Sequence, residues 1–111
     1  MLRSVMRLPT SPLGFKGMRV LVVGLGTKGG GVEAAKWLAR HGANVTVTDQ
    51  ASEDRLHESL ARLRGLGISI VLGEHRAEDV RASDLVLRNP AGPRESPLLA
   101  VAEREGIPVV M

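Results

Sequence analysis

The chain has 111 residues, 43% of them hydrophobic and 24% charged, enough for one domain around one modest core. It has no cysteine, which excludes disulfides, thiolate metal sites and cysteine nucleophiles. Phe15 and Trp37 are its only aromatic residues, so the core must be aliphatic. The net charge of +3 comes from 15 basic and 12 acidic residues interspersed along the chain. With almost no aromatic surface for base stacking, this argues for solvated helix faces and no nucleic-acid partner. No apolar run approaches the roughly 18 residues of a membrane span. The first 17 residues lack the unbroken apolar stretch of a signal peptide. They read as a flexible N-terminal arm, and the expected location is cytoplasmic, with no membrane partner.

Strand and helix signals alternate from Met18 onward. Residues 19–23 (RVLVV) form an apolar run without polar alternation, as expected of a parallel strand covered on both faces. A helix is predicted from Gly30 to His41, with Val32, Ala35, Trp37, Leu38 and Ala39 on its apolar side and Gly42 as its stop. Residues 44–48 are rich in β-branched side chains and read as a second strand. Ser52 is placed to cap a second helix, whose stripe is Leu56, Leu60 and Leu63. Ile68–Leu72 reads as the third strand, Ala77–Arg81 as a short helix and Leu85–Leu87 as the fourth strand. A loop from Asn89 to Glu95 leads into a helix capped by Ser96-Pro97 and ending near Glu105. Ile107–Val110 reads as a fifth strand, with Pro108 near its start. Right-handed crossovers then favour an α/β fold. The expectation is a Rossmann-like, doubly wound, five-stranded parallel sheet of order 3-2-1-4-5 with helices on both faces.

The chemistry gathers where the first strand meets the first helix. Gly24-Leu25-Gly26-Thr27-Lys28-Gly29 has the GxGxxG form, follows a strand and opens a helix. Gly24 is expected to make the tight turn, Gly26 to let backbone approach a phosphate, and Gly29 to let the helix pack on the strand. Asp49 closes the second strand about 20 residues on, where an acid can accept hydrogen bonds from a ribose diol; its alternative role is a turn cap at the strand end. Lys28 is placed either to neutralise a diphosphate or to be solvated. Asn89, after the fourth strand, lies along the same sheet edge, at the switch point where strands one and four diverge. A Walker A site is excluded, since Gly30 and not lysine follows Gly29. His41, His57 and His75 share no metal-ligand spacing and read as solvated. Nothing assembles an acid, base and nucleophile, so the residues describe a nucleotide-binding domain and no catalytic residue or metal site.

Four stretches in order carry a family resemblance: residues 16–29 (KGMRVLVVGLGTKG), 41–49 (HGANVTVTD), 82–90 (ASDLVLRNP) and 96–110, which holds SPLL and REGIPVV. Together they resemble the N-terminal domain of the D-glutamate-adding Mur ligases, the UDP-N-acetylmuramoyl-L-alanine:D-glutamate ligases. The resemblance implies that residues 18–111 hold the UDP moiety of UDP-N-acetylmuramoyl-L-alanine. By position, Gly26, Thr27, Lys28 and Gly29 would face the diphosphate and uracil, Asp49 and Gln50 the uracil edge, and Asn89 would lie beside it. It also implies that the ATPase and C-terminal domains are absent here. No cofactor is then expected in this chain, and ATP and Mg2+ belong to a full-length parent, an ATP-dependent amide-bond ligase of peptidoglycan synthesis whose remaining domains are this one's partners. The alternative is a stand-alone NAD-binding module of a dehydrogenase or sensor; a third possibility is a scaffold with a vestigial glycine loop. The Gly29-Gly30-Gly31 run is unusual, because each added glycine weakens a helix start by roughly 1 kcal/mol.

Overall fold

A computed structural model of the chain describes residues 12–25, 30–88 and 97–110. Five parallel strands are ordered β3-β2-β1-β4-β5: β1 (Arg19–Val23), β2 (Asn44–Asp49), β3 (Ser69–Leu72), β4 (Leu85–Arg88) and β5 (Val109–Val110). The expected strand order is the observed one. The helices are α1 (Gly30–Arg40), α2 (His57–Leu63), α3 (Ala77–Arg81) and α4 (Pro97–Glu105).

The strands alternate apolar residues between two separate cores, because successive side chains point to opposite sheet faces. Val20, Val22, Val45, Val47 and Leu85 meet α1 and α2 through Val32, Ala35, Leu38, Leu56 and Leu63. Leu21 and Val86 face the other way and meet α3 and α4 through Val80, Leu98, Val101 and Ala102. Both faces of β1 are therefore sealed, which explains its continuous apolar run.

Some boundaries shift for local reasons. Ser52 does not cap α2 with its side chain. Its carbonyl accepts the Arg55 N–H at 3.1 Å, and the Glu53 carbonyl accepts that of Leu56 at 3.1 Å. Two backbone turns thus occupy 52–56, and α2 begins at His57. Trp37 leaves the apolar stripe and stands 42% exposed at its flank. There Phe15 meets it in a T-shaped contact, with ring centroids 5.3 Å apart, and His41 stacks on it at 4.0 Å. Phe15 ends a short 3-10 turn, Pro12–Phe15. The Phe15 carbonyl accepts the Met18 N–H and the Gly42 carbonyl accepts that of Gly17. Residues 12–17, expected as part of the arm, are thus fastened to the base of β1 and the end of α1. A cleft of about 230 Å³ opens beside them, lined by Phe15, Trp37, Leu38, Leu85, Leu87 and Val110 among others.

The glycines explain how α1 reaches the sheet. Gly24 has φ +89°, a left-handed conformation that turns the chain at the strand tip. Gly29 lies outside the described residues; among the described ones, Gly31 makes a close contact between helix and turn. A Cβ at Gly31 would stand 2.2 Å from the Gly24 carbonyl oxygen and 2.7 Å from the Leu25 Cα. Both are backbone atoms that cannot rotate away. We predict that Gly31→Ala destabilises the fold by about 1–3 kcal/mol, the usual range for overpacking, despite alanine's better helix propensity. Urea denaturation measures this.

Candidate functional site

The C-terminal ends of four strands lie level, pairing Val23 with Thr48 and Arg88, and Asp49 with Leu72. The loops that follow therefore open on one edge, at the switch point between β1 and β4 where ligands bind in doubly wound sheets.

Asp49 organises this edge. Its Oδ2 accepts the N–H of Leu25 at 2.9 Å, and its Oδ1 accepts the N–H of Ala51 at 2.8 Å. The Asp49 carbonyl accepts the Gly73 N–H at 2.9 Å. One residue thus joins the tip of β2 to the loops after β1 and β3. The carboxylate has taken the turn-capping role at the strand end, and in doing so it stands at the mouth of the β1–α1 loop. A carboxylate has about four lone-pair sites, so two accepted amides leave capacity for a ligand donor. Bonds from amides to a charged acceptor contribute roughly 1.5–3 kcal/mol each.

Thr48, the residue before it, is fully buried. Its carbonyl accepts the Gly24 N–H at 2.8 Å. Its hydroxyl donates to the Glu74 carbonyl at 3.2 Å and lies 2.9 Å from His75 Nδ1. His75 is therefore not the solvated side chain expected from sequence. It is half-buried, and burial lowers its pKa against a smaller opposing pull from the Asp49 charge. Metal-ligand spacing does not reveal it; the available signal was the Gly73-Glu74-His75 segment that leaves β3 at the same sheet edge.

The other expected residues divide simply. Gly24 makes its turn, Asp49 faces the β1–α1 loop, and Gln50 is exposed beside it. Gly26, Thr27, Lys28, Gly29 and Asn89 lie outside the described residues. Arg88 ends β4 at the same edge, half-buried, and the sequence had not singled it out. Among the described residues, no three His, Cys, Asp or Glu side chains cluster as metal ligands. No described helix is long and apolar enough to cross a membrane.

A doubly wound sheet with a glycine turn after β1, held by an acid from the tip of β2, defines the class: a Rossmann-like α/β domain. Residues 18–111 match the model of the Mur ligase MurD-like N-terminal domain, and the chain belongs to that family. It is 50% identical over 95 residues to a UDP-N-acetylmuramoylalanine--D-glutamate ligase of Roseiflexus sp. (strain RS-1), covering 86% of this chain and 20% of that protein. A protein of the same name from Geobacter metallireducens is 45% identical over 94 residues, covering 85% of this chain and 20% of the relative. The chain thus spans about a fifth of the length of these relatives. Among solved structures, the precorrin-2 dehydrogenase SirC superposes with TM-score 0.59 at 22% identity, over 96% of this chain and 49% of that one. Shikimate dehydrogenase of Mycobacterium tuberculosis does so with TM-score 0.53 at 20% identity, over 88% and 45%. At these identities the likeness concerns the fold.

Two outcomes follow from the geometry. Asp49→Ala should lower the stability of the ligand-free chain by about 3–6 kcal/mol, because two amides each lose a charged acceptor; chemical denaturation checks it. His75 binds its proton more weakly folded than unfolded, so unfolding takes up a proton in acid. Stability should be complete above the ordinary histidine value of 6.5 and fall as pH drops below it. His75→Gln should remove that part of the slope in a series of melts against pH.

Proposed function

We propose that residues 18–111 form the UDP-binding domain of a D-glutamate-adding Mur ligase, and that the ligand is UDP-N-acetylmuramoyl-L-alanine. The observation that carries this reading is the Asp49 carboxylate held against the Leu25 amide. It sets an acceptor beside the loop that leads into the N-terminus of α1, where backbone N–H groups and the helix dipole favour a diphosphate. In this reading Gly24, Gly26, Thr27 and Gly29 present backbone to the diphosphate and Lys28 adds a point charge. Asp49 and Gln50 take the uracil edge and Asn89 lies beside it. Family membership and the two relatives' names favour UDP over NAD.

The whole reaction belongs to a longer protein. ATP would convert a substrate carboxylate to an acyl phosphate, and the amine of D-glutamate would displace phosphate to form the amide. The described residues do not fit ATP or Mg2+: no metal-ligand cluster stands among them, and the glycine loop lacks the Walker A lysine. This chain's share is to grip the nucleotide end while its partners, the remaining ligase domains, work on the far end. The setting is cytoplasmic peptidoglycan synthesis, contributing to cell shape and division.

Calorimetric titration tests the reading. The chain should bind UDP and UDP-N-acetylmuramoyl-L-alanine, and Asp49→Ala should weaken both by about 1–3 kcal/mol. Binding of NADH without binding of UDP would reverse the assignment in favour of a dehydrogenase-type module.

A further inference from the structure

The Thr48 hydroxyl has one proton, and it goes to the Glu74 carbonyl. The 2.9 Å contact with His75 then requires the ring to donate from Nδ1, with the hydroxyl oxygen accepting. In the tautomer that makes hydrogen bonds of both contacts, neutral His75 carries its proton on Nδ1 and a bare lone pair on Nε2. Nδ1 points to a fully buried hydroxyl, and Nε2 lies on the other side of the ring. Burial favours the neutral form, which preserves the lone pair near neutral pH. Each Asp49 oxygen already holds an amide, and the Thr48 hydroxyl is committed on both counts. His75 Nε2, by contrast, makes no hydrogen bond to a described residue.

We propose that His75 is a specificity-determining residue of the nucleotide site, its Nε2 accepting a hydrogen bond from an O–H or N–H donor of the bound nucleoside, with Thr48 as the positioning residue that aims it. The proposal rests on the UDP reading above. A diphosphate offers acceptors only, so this contact selects for the nucleoside. Uridine has two kinds of donor to offer, the ribose hydroxyls and the uracil N3–H. Glutamine in place of histidine retains an acceptor; leucine does not.

The test titrates wild type, His75→Leu and His75→Gln with UDP, 2′-deoxy-UDP, N3-methyl-UDP and inorganic pyrophosphate. His75→Leu should weaken UDP at least tenfold and leave pyrophosphate within twofold, while His75→Gln recovers most of the UDP affinity. If N3-methyl-UDP binds wild type as weakly as UDP binds His75→Leu, the donor is the base; if 2′-deoxy-UDP does so, it is the ribose. Equal UDP affinity in wild type and His75→Leu overturns the proposal, and so does an equal loss for pyrophosphate, which marks a purely structural role. Should the leucine variant fail to fold, imidazole 15N resonances of the wild type decide: saturation with UDP must shift His75 Nε2, and an unmoved signal overturns the idea. A wild type that binds no UDP removes the underlying site assignment and this contact with it, an outcome distinct from one in which UDP binds and His75 does not matter.

Discussion

A carboxylate at the end of one strand holding the backbone of its neighbour's turn is the constraint on which this edge depends. A glycine turn at a strand tip has little to fix it: no side chain at Gly24 and a left-handed backbone that glycine adopts without strain. Asp49 supplies the missing restraint by accepting the Leu25 amide, while the Thr48 carbonyl accepts that of Gly24. Consecutive amides of the turn are thus tied to consecutive residues of β2, and the strand register sets the position of the loop.

The same arrangement links packing to the proposed site. Gly31 lets α1 approach until its backbone touches the turn, its amide donating to the Leu25 carbonyl at 3.0 Å. Leu25 itself is fully buried under the helix. The start of α1 is therefore anchored from three sides: by the strand below, by the acid beside it and by close packing. An anion site built from backbone gains from such anchoring, because amides already oriented need little further ordering when a ligand arrives. The glycine run that looks wasteful for a helix start is explained in part by this requirement for space at its third member.

The sheet order was legible in the sequence because the alternation of apolar runs and helical stripes, joined by right-handed crossovers, leaves few other topologies. The bounds of α3 and the core positions Val32, Ala35 and Leu38 were legible for the same reason. What was not legible depended on backbone. Ser52 looks like a helix cap, but its carbonyl and that of Glu53 build turns first. Nothing in the run of three glycines singles out Gly31 until the path of the chain brings it against Gly24. His75 meets Thr48, 27 residues away, and that contact exists only once β2 and β3 pair. Spacing singled out Asp49, but it carried no sign that the carboxylate would restrain the glycine turn.

Trp37, placed between Phe15 and His41 at the rim of the apolar cleft, has a use of its own. It is the chain's one indole and there is no tyrosine, so intrinsic emission comes from a single fluorophore at a known address. Its wavelength follows how much water reaches the rim, and its intensity follows its contact with the stacked imidazole. The molecule thus carries a built-in optical reporter for whatever fills the space beside β4 and β5, free of any contribution from the rest of the fold.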